Sequence, residues 1–139
     1  MKFCYTDLED CHTARGVVII IDVLRAFSTA ACAFSRGAKE IILVSTVEEA
    51  LFLKSSLTNS RAMGEVGGLP PEGFDFGNSP TYLSGEDLSG ITLIQRTGAG
   101  TQGAVRSRNA AVMLASSFVV ARATVKQVIR LRADEVTFV

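Results

Sequence analysis

The sequence predicts an α/β protein in which helices are layered around a mostly parallel β-sheet. Short runs of apolar and β-branched residues alternate along the chain with segments of helical periodicity. The runs are continuous rather than alternating with polar residues, which is typical of strands buried on both faces of a parallel sheet. The 139 residues are 47% hydrophobic and 20% charged, which suffices for a buried core and excludes a disordered chain. We therefore expect a single α/β domain over residues 1–139.

The apolar runs and the segments between them define the predicted elements in chain order. Strands are predicted at residues 17–23, 40–44, 92–96, 110–115 and 135–139. Helices are predicted at residues 25–36, 47–57, 100–107 and 118–132. Because strand-helix-strand connections form right-handed crossovers, the carboxyl ends of the strands are expected at one edge of the sheet.

Local signals support the helix assignments. A capping box at Ser45 to Glu48 predicts the start of the second helix, and Gly37 predicts the end of the first. In the last helix one face is apolar, which predicts that it packs in the core: Ala121, Thr124, Val125, Val128 and Ile129.

Charge and cysteine content exclude several classes of function. The 14 basic and 14 acidic residues cancel, so no global field favours nucleic acid or an anionic membrane. No apolar run is long enough to span a bilayer or to form a signal peptide, and we expect a cytoplasmic protein. The three cysteines lack C-x-x-C spacing, which predicts free thiols. The apolar composition favours a homodimer.

The stretch from Gly64 to Pro80 interrupts the strand and helix alternation. It contains five glycines and three prolines, which exclude a helix or a central strand. A loop of this length in a small domain is usually functional. Its acidic residues Glu65 and Asp75 are therefore candidates for the site.

Asp22 lies near the carboxyl end of the first predicted strand, and Arg25 follows that strand. In open α/β sheets, ligands bind at the carboxyl ends of the strands, so Asp22 is a candidate metal ligand or base. The alternative is that Asp22 caps the following helix and that Arg25 pairs with it.

The segment from Gly98 to Gly103 follows a strand, opens a helix and matches G-x-G-x-x-G. One interpretation is therefore a dinucleotide-binding domain, although no acidic residue occurs about twenty positions further on. We favour a phosphate-binding turn whose glycines let backbone N–H groups converge on an oxyanion. A tight turn without a ligand is the simplest alternative.

Four segments together resemble the 2-phosphosulfolactate phosphatase family, and the similarity covers nearly all of the chain. They are VIIIDVLRAFST (18–29), GAKEIILVSTVEEA (37–50), MGEVGGLPPEGFDFGNSP (63–80) and TGAGT (97–101). The resemblance implies an Mg²⁺-dependent phosphatase that hydrolyses 2-phosphosulfolactate to sulfolactate and phosphate, a step towards coenzyme M. It also implies that the chain is the N-terminal part of a larger α/β protein.

The resemblance further implies which residues line the site: Asp22, Arg25, Glu65, Asp75, Asn78, Ser79 and Thr97. The family's turn often reads T-T-N-G-T, and the different turn at 97–101 leaves the substrate open among small 2-phospho acids. Our hypothesis is that Asp22, Glu65 and Asp75 hold Mg²⁺, which prefers oxygen ligands. Arg25 and the turn, through Gly98, Gly100 and Thr101, would hold the anionic substrate. A metabolite-binding module without catalysis is the non-enzymatic alternative.

Overall fold

The computed structural model describes residues 1–139 and contains eight β-strands and four α-helices. The strands are β1 (Lys2–Tyr5), β2 (Val17–Ile21), β3 (Glu40–Leu43), β4 (Ser60–Gly64), β5 (Phe76–Gly77), β6 (Thr92–Arg96), β7 (Val112–Ser116) and β8 (Glu135–Phe138). The helices are α1 (Ala26–Ser35), α2 (Val47–Ser56), α3 (Gly100–Arg106) and α4 (Ala121–Leu131), with short 3-10 turns at Cys11–Thr13 and Pro80–Leu83.

The strands form two four-stranded sheets. The first sheet has the order β1-β8-β2-β7 and the second has the order β3-β6-β4-β5. Every strand pair is parallel. The predicted α/β class with parallel strands is confirmed, but the strands form two sheets where one was expected.

Helices pack on both faces of each sheet. In β2, Val18 and Ile20 pack with residues of α1 and α3, whereas Val17 and Ile19 pack with α4 on the other face. The same alternation places Leu93 of β6 in a cluster with α1. Consequently α1 and α3 lie between the two sheets, α4 packs on part of the outer face of the first sheet, and α2 packs on the outer face of the second.

Three strands were not predicted. They are β1, β4 and β5. The β4 sequence SRAMG has no β-branched residue, so its strand conformation depends on pairing with β6 rather than on intrinsic propensity. The two residues of β5 are too few to give a periodic signal.

The residues that cap α2 differ from the prediction. The N-cap of α2 is Thr46, whose Oγ1 accepts the N–H of Glu49 at 3.1 Å. The Glu49 carboxylate in turn accepts the N–H of Ser45. The predicted box of Ser45 and Glu48 is therefore wrong by one residue, because Glu49 is the residue at the third helical position. Gly37 does follow the end of α1, with φ +92°.

The predicted apolar face of α4 is only partly buried. Thr124 and Val128 are buried, but Val125 is 58% exposed and Ile129 is 64% exposed. Ala121 is also exposed. The prediction that this whole stripe packs in the core is therefore wrong, because no second helix lies beside α4 on the side of β1.

The sequence predicts free thiols for the cysteines. All three cysteines are free thiols, as expected. Cys11 is fully buried, and its Sγ–H is shared between the backbone carbonyls of Leu8 and Gly103. None of the helices combines the length and the apolar character that crossing a membrane requires.

Candidate active site

The residues that follow the strands of both sheets come together around the turn that precedes α3. Asp22 follows β2 of the first sheet, whereas Glu65 follows β4 of the second. A Cβ added at Gly98 would lie 3.2 Å from Glu65 Oε1, and one added at Gly100 would lie 2.9 Å from Asp22 Oδ2. The structure therefore places both carboxylates against the same turn.

The turn itself is held by two threonines. The N–H of Thr97 donates to Thr101 Oγ1 at 2.8 Å, and the N–H of Thr101 donates to Thr97 Oγ1 at 3.1 Å. Both side chains are buried. Thr97 and Thr101, which were predicted to bind substrate, therefore use their hydroxyls to close the turn.

Glu65 ties the start of the glycine-rich loop to this turn. Its Oε1 accepts the N–H of Gly98 at 2.6 Å, and its Oε2 accepts the N–H of Gly68 at 2.8 Å. The pKa of Glu65 is lowered from its ordinary value. Burial, the largest single influence, acts to raise the pKa, but the two amide hydrogen bonds and the charges of Arg96 and Arg25 together outweigh it. Glu65 is thus an ionised carboxylate at neutral pH.

This contact changes the role expected for Gly98. The N–H predicted to hold the substrate phosphate already donates to Glu65. The N–H groups of Ala99 and Gly100 donate no hydrogen bond within the chain. These two amides, rather than that of Gly98, are the free donors of the turn.

Asp22 has one oxygen engaged and one free. Its Oδ1 accepts the N–H of Ala26 at 3.1 Å, which caps the start of α1. Its Oδ2 faces Gly100 and accepts no hydrogen bond. The capping alternative is therefore part of the role of Asp22, and one oxygen remains available to a ligand.

Arg25 supplies positive charge beside these carboxylates. Its side chain is exposed and forms no ion pair, so the expected pairing with Asp22 is absent. Its charge nevertheless contributes to lowering the pKa of Glu65. Arg25 is the free cation of the site.

Asp75 does not join the other two carboxylates. Its Oδ2 accepts the N–H of Ala62 at 2.8 Å and lies 2.9 Å from Lys54 Nζ. Ala62 is three residues before Glu65, which corresponds to about 10 Å along a strand. No group of three or more His, Cys, Asp or Glu side chains is arranged to hold a metal ion. The expected three-carboxylate cluster is therefore not formed.

Asn78 and Ser79 follow β5 and lie at the same edge as Glu65, because Gly77 pairs with Gly64. Asn78 is buried, and its Oδ1 has no hydrogen-bond partner. A buried amide oxygen without a partner is costly unless a ligand satisfies it. Ser79 instead caps the following 3-10 turn by accepting the N–H of Thr81.

Sequence reasoning missed residues that support or border the site. Arg96 donates from Nη1 to the carbonyl of Glu65 at 2.8 Å, and Gln102 donates to the carbonyls of Ser45 and Thr97. Ser117 follows β7 beside Asp22, and its buried Oγ has no partner. Ser117 follows a predicted strand, so the rule that singled out Asp22 would have identified it.

The G-x-G-x-x-G segment forms a close strand-to-helix turn. A Cβ at Gly103 would lie 2.9 Å from a methyl carbon of Ile20, so this glycine allows α3 to pack on the first sheet. The same packing occurs in dinucleotide-binding turns. However, the Glu65 carboxylate places negative charge at the Gly98 N–H, where a pyrophosphate would have to bind.

Known proteins resemble this chain over most of its length. A family model described as 2-phosphosulpholactate phosphatase matches residues 4–139. A probable 2-phosphosulfolactate phosphatase of Bacillus subtilis is 39% identical over 117 residues, which cover 84% of this chain and 51% of that protein. The Deinococcus radiodurans protein of the same description is 37% identical over 134 residues, covering 95% and 55%. That of Thermotoga petrophila is 42% identical over 107 residues, covering 77% and 44%.

These relatives are longer than the chain, and the match to their family includes the candidate site. The chain spans about half the length of the curated relatives that it matches. The matched region includes every residue of the site described above. The chain belongs to the 2-phosphosulpholactate phosphatase family.

Proposed function

We propose that this chain carries the phosphate-binding and acidic part of a phosphatase that hydrolyses a small 2-phospho acid, such as 2-phosphosulfolactate, to sulfolactate and phosphate. The observation that carries the proposal is the position of Asp22 and Glu65 against one glycine turn, with Arg25 beside them. The description of the relatives supports the reaction and the substrate class. This reading makes the protein a phosphoric monoester hydrolase.

Three groups on the chain suit an anionic substrate. The free N–H groups of Ala99 and Gly100 suit the phosphate, because unpaired amides at a strand-to-helix turn point towards an oxyanion. The unpaired guanidinium of Arg25 suits the second acidic group of the substrate, since it can bind a carboxylate or sulfonate through two N–H donors. The buried Asn78 Oδ1 suits a hydroxyl or water donor at the same edge.

The residues present also fit Mg²⁺. Mg²⁺ is commonly bound through one or two carboxylates together with substrate phosphate oxygens and water. Asp22 offers the free Oδ2, and Glu65 offers an ionised carboxylate that would exchange an amide partner for the ion. When bound, Mg²⁺ would activate a water molecule and neutralise charge on the phosphoryl oxygens. Asp75 is left out of this ligand set because Lys54 and the Ala62 amide engage it.

The proposal is tested first by binding. In an NMR titration of the 139-residue chain with inorganic phosphate and Mg²⁺, we expect shifts at the amides of Ala99 and Gly100. With a 2-phospho acid in place of inorganic phosphate, Arg25→Ala should weaken binding about tenfold, because the charge-assisted contact to the second acidic group is lost. Shifts produced by NAD(P) but not by phosphate with Mg²⁺ would favour the dinucleotide alternative instead.

The second test is activity. We expect Mg²⁺-dependent release of phosphate from 2-phosphosulfolactate. Asp22→Asn should lower the rate of this release by at least about a hundredfold. Asp75→Asn is the matched control, because it removes a carboxylate that does not contact the turn. Release that is unchanged by both EDTA and Asp22→Asn would contradict the proposal. The expected cytoplasmic location and homodimer stay predictions.

A further inference from the structure

Helix α4 leaves the outer face of the first sheet uncovered over β1 and the carboxyl end of β8. Phe3 and Tyr5 of β1 contact the ring of Phe138 of β8, with ring centroids 5.9 and 5.4 Å from it. Phe3 is 55% exposed and Tyr5 is 79% exposed. Together with Met1 of the chain terminus and Val125 and Ile129 of α4, these side chains form what we call the β1–β8 face.

This face is a groove that runs beside α4. Its walls are the strand residues on one side and the α4 residues on the other, and its floor includes Ile19, Val128 and Val136. The groove has a volume of about 360 Å³ and is lined only by hydrophobic residues. Strands of a parallel sheet are normally covered by helices on both faces. A second helix beside α4 is the element that would complete this layer.

The charges of α4 select the kind of helix that fits. The helix and its C-cap carry four basic residues and no acidic one: Arg122, Lys126, Arg130 and Arg132. None of them forms an ion pair. Arg122, Val125 and Ile129 are spaced i, i+3 and i+7, so the guanidinium borders the apolar stripe on the same side of the helix. The nearby Glu135 is already paired with Lys2 at 2.7 Å.

We propose that the β1–β8 face docks an amphipathic α-helix whose apolar stripe is bordered by Asp or Glu residues that pair with Arg122 and Lys126. A second copy of this chain fits less well, because its own α4 would place basic residues against basic residues. The curated relatives contain about as many residues again as the part that this chain matches, which is enough chain to include such a helix.

The docking is tested with two labelled synthetic peptides of about four helical turns. Both carry the same leucine stripe, and the residues bordering it are Glu in one peptide and Lys in the other. In fluorescence anisotropy with the 139-residue chain, the Glu peptide should bind at least about tenfold more tightly than the Lys peptide. The double variant Arg122→Glu/Lys126→Glu should reverse this preference.

The apolar part of the groove is tested separately. Val125→Ser/Ile129→Ser should weaken binding of the Glu peptide about tenfold or more, because both side chains would be covered by the docked helix. Phe52→Ser on α2 is the matched control, since Phe52 is also an exposed helix residue and lies on the second sheet's side. Unchanged thermal melting of all variants shows that folding is intact.

Several outcomes would overturn the proposal. Equal binding of both peptides would show that charge does not select the occupant, and binding unaffected by Val125→Ser/Ile129→Ser would place the peptide elsewhere. A dimer of the chain that Val125→Ser/Ile129→Ser dissociates would make the occupant a second copy. Binding to vesicles of anionic phospholipid, without binding of the Glu peptide, would make it a membrane surface.

Discussion

Glu65 and Asp75 belong to the same glycine-rich loop, and both carboxylates accept hydrogen bonds from the backbone. They nevertheless lie at opposite ends of the β4–β5 ladder. Glu65 follows β4 and binds the turn before α3. Asp75 precedes β5 and binds the Ala62 amide and Lys54. The loop therefore contributes one acid to the site and one acid to the framework.

The different positions of Glu65 and Asp75 follow from the parallel pairing of β4 and β5. In a parallel pair the connecting loop leaves the carboxyl end of one strand and must return to the amino end of the next. Residues at the start of the loop stay at the edge where ligands bind in α/β sheets, and residues at its end are carried away from that edge. Acidic residues ten positions apart in one loop thus lie on opposite sides of the two-residue β4–β5 ladder, about 10 Å apart along the strand.

The largest effect is expected where the loop leaves β4. Gly64 has φ +144°, and a Cβ there would overlap the carbonyl oxygen of Arg96. Gly64→Ala should lower the free energy of unfolding by about 3 kcal/mol or more, because both the backbone conformation and the β4–β6 pairing would have to change. Urea denaturation measures this loss. Gly68→Ala, at φ +88° with no atom within 4 Å, is the control and should cost only about 1 kcal/mol. Equal losses would show that the close approach to Arg96 is unimportant.

The next effect on stability is expected at Asp75, which binds the Ala62 amide and Lys54. Asp75→Ala should lower the free energy of unfolding by about 2 kcal/mol, because the Ala62 N–H would lose its acceptor and Lys54 its ion-pair partner. Phosphate binding at Ala99 and Gly100 should be unchanged. Chemical denaturation and a phosphate titration of the same variant measure the two quantities. Loss of phosphate binding by a stable Asp75→Ala protein would return Asp75 to the site.

A smaller effect on the free energy of unfolding is expected at Glu65, and it depends on pH. Glutamine at position 65 can still accept one amide N–H but not two, so Glu65→Gln should cost about 1 kcal/mol at neutral pH. Because the pKa of Glu65 is lowered on folding, its ionisation stabilises the protein above the ordinary glutamate pKa of 4.5. That contribution is lost as the pH falls through the lowered pKa. The stability difference between the two proteins should therefore shrink on acidification. A constant difference would contradict the assigned pKa direction.

The smallest effect is expected on the pKa of Glu65 when a nearby or a distant positive charge is removed. Arg25→Gln should raise the pKa of Glu65, because one of the nearby positive charges is removed. Lys54→Gln should leave that pKa unchanged, since Lys54 pairs with Asp75 at the other end of the ladder. A carbon-detected NMR titration of the Glu65 carboxyl measures both. A larger response to Lys54→Gln than to Arg25→Gln would mean that the two ends are not separated.

Much of the framework could be predicted from local patterns. The five predicted strands correspond to β2, β3, β6, β7 and β8, since continuous β-branched runs at these positions carry their own signal. The strand-end rule also led to Asp22 and to the turn at Gly98. In contrast, β4 depends on its pairing partner and the capping residue of α2 is fixed by which side chain reaches the third helical amide. Neither can be read from a short window of sequence.

By itself, the sequence determined the α/β class, the glycine turn and the positions of the acids along the chain, because periodicity and backbone restrictions are local properties. Only the tertiary structure decided that the strands form two sheets, that Glu65 binds the Gly98 amide, and that Asp75 pairs with Lys54. It also decided that Val125 and Ile129 of a regular amphipathic helix stay exposed. These outcomes depend on which elements pack side by side, and that is a property of contacts between residues distant in the chain.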